Sequence, residues 1–127
     1  MKINPDCIRD LLIDIENTTT FNKQYVMCND TDSDLTDKYS YDVVLYHSRY
    51  CYEAKLLTSY TPFDSGQYFI VADLSPDGHA FLENIRNNTN WNKVKNALKS
   101  AGTYSLKLMI ETAAQIASTR VISSLGI

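Results

Sequence analysis

Two stretches of the chain open in the same way, Asn4-Pro5-Asp6 and Ser75-Pro76-Asp77. In each, a side chain able to cap backbone N–H groups precedes a proline, whose missing N–H is harmless in a first helical turn. An aspartate follows where the helix dipole favours negative charge. Two helix starts are thereby predicted before any wider pattern is considered. Behind the first, Ile8, Leu11, Leu12 and Ile15 recur at i, i+3, i+4 and i+7, the spacing of one buried face, and Asn17 with Thr18 to Thr20 ends the run. Behind the second, Phe81, Leu82 and Ile85 supply the core side.

Between these helices the chain reads as strand, loop, helix and hairpin. Lys23 to Cys28 is a short strand rich in sheet-forming residues. Ser40 is placed to cap a helix through about Ala54, with Val44, His47, Cys51 and Ala54 on its buried face. Asp42, Tyr46, Arg49, Tyr50 and Glu53 form a more polar, tyrosine-rich face suited to binding. Leu56 to Tyr60 and Gln67 to Leu74 read as two strands around the turn Thr61-Pro62-Phe63-Asp64-Ser65-Gly66.

After Ile85, Asn87 to Asn90 read as a break. Trp91 to Lys99 then form an amphipathic helix with Trp91, Val94 and Leu98 inward, and Lys93, Lys95 and Lys99 outward. Gly102 is its expected left-handed stop. A last helix from about Ser105 to Leu125 carries Leu106, Ile110, Ala113, Ala117 and Val121 along one stripe. Its small residues would allow close approach of another helix. Ala113, Ala114, Ala117 and Val121 are therefore the candidate self-association stripe, packed either within the monomer or against a second copy as a homodimer.

The predicted class is α+β, mainly α. It combines a winged helix-turn-helix-like core with a small antiparallel sheet over residues 1–74, and two or three C-terminal helices over 75–127, in a single domain. The short middle helix of such a core is either absent or squeezed into residues 33–39.

Composition bounds the function. The chain has 127 residues and a net charge of −3, split as −4 over residues 1–35, −2 over 36–74 and +3 over 75–127. An acidic total disfavours a protein whose affinity rests on neutralising many phosphates. The positive charge of Arg86, Lys93, Lys95 and Lys99 forms a candidate basic patch outside the wing, which carries no Lys or Arg between Thr58 and Gly66. Three cysteines without framework spacing, and no charged-then-apolar leader, predict free thiols in a reducing cytoplasm. Charged interruptions in the last helix argue against a membrane span.

Catalytic signals are thin. The chain lacks a Gly-rich phosphate loop, a G-x-S-x-G elbow and an H-E-x-x-H pair. Asp30, Asp32 and Asp34 have calcium-loop spacing, but Leu35 and Tyr41 stand where such a loop needs Gly and Glu. His47 and Cys51 are spaced to share a metal, with His79 or Cys28 to complete it, yet both predicted positions face the core. His79 is read instead as packing under the wing. No catalytic residue, metal or cofactor is expected.

The phrases Tyr39-Ser40, Tyr46-His47, Glu53-Ala54-Lys55-Leu56-Leu57, Leu74-Ser75-Pro76-Asp77-Gly78-His79-Ala80-Phe81-Leu82, Ile85-Arg86 and Trp91-Asn92-Lys93-Val94-Lys95 resemble the bacterial and phage family catalogued as domain of unknown function 2513. The resemblance spans nearly the whole chain. It implies a winged-helix-like fold in small proteins often carried by phages and mobile elements, with no established activity. Two positions depart from the family pattern. Lys55 stands where Gly is usual, so either the turn is rebuilt or a left-handed residue is tolerated at roughly 1 kcal/mol. Ser48 replaces an aliphatic residue. The expected function is a non-enzymatic binding or regulatory protein that contacts a host or phage protein, the alternative being a sequence-specific regulator of duplex DNA.

Overall fold

The computed structural model describes residues 1–126. It is an α+β protein, mainly α, with a small three-stranded antiparallel sheet. Among the described residues no helix is long and apolar enough to cross a membrane.

Helix α1 (Pro5–Thr18) begins as the cap predicts, with the Asn4 side chain accepting from the N–H groups of Asp6 and Cys7. Ile8, Leu11, Leu12 and Ile15 are fully buried. The following strand is shorter than expected, because Thr20 and Lys23 close a tight turn through two backbone hydrogen bonds before β1 (Tyr25–Cys28) starts. A short α2 (Asp34–Lys38) occupies the 33–39 interval. Ser33 and Thr36 bond reciprocally across its first turn, which makes so brief a helix sustainable.

Helix α3 (Tyr41–Glu53) buries Val44, His47 and Cys51, while Ala54 just beyond it is only half-buried. Ser40 precedes the helix but makes no side-chain cap. Ser48 is fully buried, and its hydroxyl donates to the Val44 carbonyl at 2.7 Å, so the polar group is satisfied inside the helix. The helix stops at Lys55, whose φ is +67°, with the Leu56 N–H reaching back to the Cys51 carbonyl. The left-handed stop is thus kept and filled by lysine. Lys55→Gly should raise stability by about 1 kcal/mol, read as a higher denaturant midpoint at unchanged slope.

The hairpin departs from the expected one. Leu56 and Leu57 are buried core residues, and Leu57 makes only an isolated bridge to Leu74. Strand β2 (Thr61–Phe63) lies inside the expected turn, and the reversal tightens to Asp64-Ser65-Gly66, all three with positive φ, before β3 (Tyr68–Val71). The strand order β1-β3-β2 leaves β2 at an edge. There the missing N–H of Pro62 is tolerated.

Helix α4 (Pro76–Ile85) starts under the Ser75 cap. The expected break at Asn87–Asn90 is instead a helix start, since the Asn87 side chain accepts from the Asn90 N–H and α5 runs from Asn88 to Ala101. Gly102 ends it at φ +76°. Helix α6 (Leu106–Ser124) packs on α4 and α5 through Leu106, Met109 and Ala113.

Candidate interaction surface

Three side chains of the expected α3 face, Asp42, Arg49 and Glu53, are exposed, while Tyr46 and Tyr50 are half-buried with ring centroids 5.5 Å apart. The Arg49 guanidinium lies 5.4 Å from the Tyr46 ring and 3.8 Å from the Glu53 carboxylate. The face is brought together as the spacing requires, with its cation leaning along the helix.

The outer face of the sheet is the feature that sequence reasoning missed. Tyr25, Met27, Phe69 and Val71 point into the core, so the alternate residues point outward. Those are Val26 and Cys28 of β1, Thr61 and Phe63 of β2, and Tyr68 and Ile70 of β3, in register across the three strands. None is charged. Val26 is 51% exposed and Phe63 39%, and the Phe63 and Tyr68 rings stack at 5.0 Å. A solvated antiparallel sheet ordinarily alternates apolar inward with polar outward. Here the outer face is also mainly apolar, Thr61 being the exception. The signal stands in the sequence, since Tyr25–Cys28 and Tyr68–Val71 are apolar or aromatic at every position instead of every second one.

The expected basic patch is divided by ion pairs. Arg86 is held by Glu16 through two bonds of 2.9 and 2.8 Å and also contacts Glu83 at 3.2 Å. Lys95 donates to Asp6 at 2.9 Å and lies over the Trp91 ring. Lys93 and Lys99 are exposed. Arg9, which no pattern singled out, donates to the carbonyls of Ile85 and Arg86 at the end of α4 and to the Asn88 side chain.

Asp6, Asp10 and Asp14, one turn apart on α1, each accept from an aromatic donor. These are Trp91 Nε1 at 2.9 Å, the Tyr39 hydroxyl at 2.7 Å and the Tyr25 hydroxyl at 2.5 Å. Their four-residue spacing is visible in the sequence; their partners are not.

The histidines and cysteines separate. His47 is fully buried, its Nδ1 2.7 Å from the Val43 carbonyl and its Nε2 accepting the Asn4 N–H at 2.8 Å. The ring is therefore neutral with the proton on Nδ1, and burial lowers its pKa from the ordinary value. Both nitrogens are occupied. Burial pushes the Cys7 thiol up to about 12 and raises that of Cys51 as well. His79 is exposed rather than tucked under the hairpin, its ring 3.7 Å from the Asp73 carboxylate just beyond β3.

The candidate stripe on α6 is also split. Ala113 is fully buried in the body, Ala117 is half-buried, and Ala114 and Val121 are exposed. Ala113 therefore belongs to the core and cannot meet a second copy. Two shallow grooves of about 500 and 340 Å³ adjoin along the start of α6, lined by Tyr50, Glu53 and Ala54 on one side and Leu106, Lys107 and Ile110 on the other.

These features define a small, mainly helical α+β protein with open apolar surfaces and shallow grooves. The chain belongs to the family described as "Hypothetical protein (DUF2513)", whose model matches residues 2–104. It is also 29% identical to an uncharacterized protein of Haemophilus influenzae, over 99% of this chain and 100% of that protein. No solved structure matches.

Proposed function

We propose that the protein is a non-enzymatic binding and regulatory module of phage or mobile-element type, acting in the cytoplasm through contact with another protein. The single observation that carries this reading is the cation-free, apolar outer face of the sheet. In a winged helix that grips DNA, the wing supplies Lys or Arg to phosphates; the outer face of this sheet offers Val26, Phe63, Tyr68 and Ile70 instead. Aromatic and aliphatic groups in a rigid, shallow surface suit a protein partner. The tyrosines of α3 extend the same chemistry.

A sequence-specific DNA-binding winged helix is the second reading. It is favoured by the exposed Arg49 midway along α3, behind the short α2. Capture from host lysate with and without nuclease separates the two. The expected result is a nuclease-resistant partner retained by the wild-type chain and lost, by tenfold or more, in the Val26→Thr/Phe63→Ser variant. Loss on nuclease treatment, together with salt-sensitive duplex binding abolished by Arg49→Ala, would establish the DNA reading instead.

A further inference from the structure

We propose that two copies of the chain pair reciprocally, each seating the last turns of its α6 in the groove between α3 and α6 of the other. The first half of α6 packs Leu106, Met109 and Ala113 into the body. From Ser118 to Gly126 every residue is exposed, and Val121, Ile122 and Leu125 are 59%, 48% and 68% exposed. A helix with apolar residues on its solvent side as well as its core side is one that something else covers. Val121 and Ile122 border a shallow groove beside Asn84 of α4, and with Leu125 they leave the helix end an uncovered aliphatic knob.

The groove beside the start of α6 fits that knob chemically. Its lining pairs the apolar surface of Tyr50, Ala54 and Ile110 with a rim of Glu53, Glu111, Lys55 and Lys107. Arg120 is the sole charged side chain between Thr112 and Gly126. Seated in the groove it meets Glu53 and Glu111, while Lys55 and Lys107 meet the negative pole at the C-terminal end of the incoming helix. A stable interface buries roughly 1,200 Å² or more, and a reciprocal contact buries twice the area of a single one. Made twice about a two-fold axis, with the two α6 helices antiparallel, the contact covers both knobs and fills both grooves.

Light scattering at high micromolar concentration tests the pairing. The wild-type chain is expected to run as a dimer and Val121→Gln/Leu125→Gln as a monomer, with the variant's helical circular dichroism unchanged because both sites are exposed and glutamine is neutral and a good helix former. A wild-type monomer, or a dimer that survives the double substitution, would overturn the proposal. Oxidative cross-linking in a Cys28→Ser background, where the remaining native thiols are buried, tests the seating. Ala54→Cys/Leu125→Cys should give a covalent dimer while neither single cysteine does. Efficient cross-linking of Leu125→Cys alone would mean that knob meets knob, and would overturn it.

Discussion

Gly78→Ala is expected to destabilise the protein by about 3 kcal/mol or more, enough to unfold much of a marginally stable domain. A Cβ built on Gly78 would lie 2.0 Å from the Leu56 carbonyl oxygen and 2.9 Å from its carbon. Both atoms are backbone, so no side-chain rotation relieves the overlap. The close approach is itself held by hydrogen bonds, the Ser75 N–H donating to the Leu56 carbonyl at 2.9 Å and the Ser75 hydroxyl to the Lys55 carbonyl at 2.6 Å. Relief would require moving α4 away from the end of α3. The helix-propensity gain of alanine over glycine, about 1 kcal/mol, offsets only part of this. Gly102→Ala is the control: its φ is +76° but nothing lies within 4 Å, so the loss should be about 1 kcal/mol. Denaturant unfolding of the two variants checks the contrast, and a Gly78→Ala protein as stable as wild type would refute the account.

His47→Ala should cost about 2–4 kcal/mol, combining a cavity with the loss of the acceptor for the Asn4 N–H. The same histidine sets an acid limit. Burial lowers its folded pKa below the ordinary 6.5. The unfolded chain therefore binds the proton more readily, and stability must rise with pH across that interval. The contribution is complete above the unfolded value and is lost as pH falls below it toward the folded value, since a proton on Nε2 would confront the Asn4 N–H with a second donor. Glu16, whose pKa is lowered by its hydrogen bond to Arg86, loses its contribution separately, below the ordinary carboxylate range. Unfolding curves between pH 7.5 and 5 should show a fall in the midpoint for wild type and a flatter profile for His47→Gln. Parallel profiles would mean that another group titrates.

What was legible in the sequence was what is local. The caps at Asn4 and Ser75, the stop at Gly102 and the apolar spacing of α1 and α4 depend on neighbours a turn away, and the helices formed where those signals stood. The left-handed Lys55 was readable as a departure from a family pattern, although only the backbone shows that the turn is retained. Strand β2 was misplaced because Pro62 argues for a turn unless its strand is known to be an edge, which is a property of the sheet. The start of α5 is hidden in the sequence because Asn88-Thr89-Asn90 are indifferent helix formers that the Asn87 cap nonetheless holds.

The candidate surface divides along the same line. The α3 face followed from spacing on one helix and came together. The basic patch did not survive as a patch, because Glu16 and Asp6, which neutralise Arg86 and Lys95, come from the far end of the chain. Arg9 was invisible for the complementary reason, its partners being backbone carbonyls that carry no residue signature.

The aspartate ladder on α1 bears on how the chain is made. Asp14 can find Tyr25, and Asp10 can find Tyr39, soon after each leaves the ribosome, but Asp6 has no partner until Trp91 and Lys95 emerge. The first helix synthesised is thus locked along its whole length only after α5 has emerged. Its buried side, Ile8, Leu11, Leu12 and Ile15, packs between α3 and α4, so part of it stays open until α4 has emerged. A nascent chain arrested before α4 would carry part of that apolar face uncovered, which makes the N-terminal helix the segment a chaperone would hold during translation.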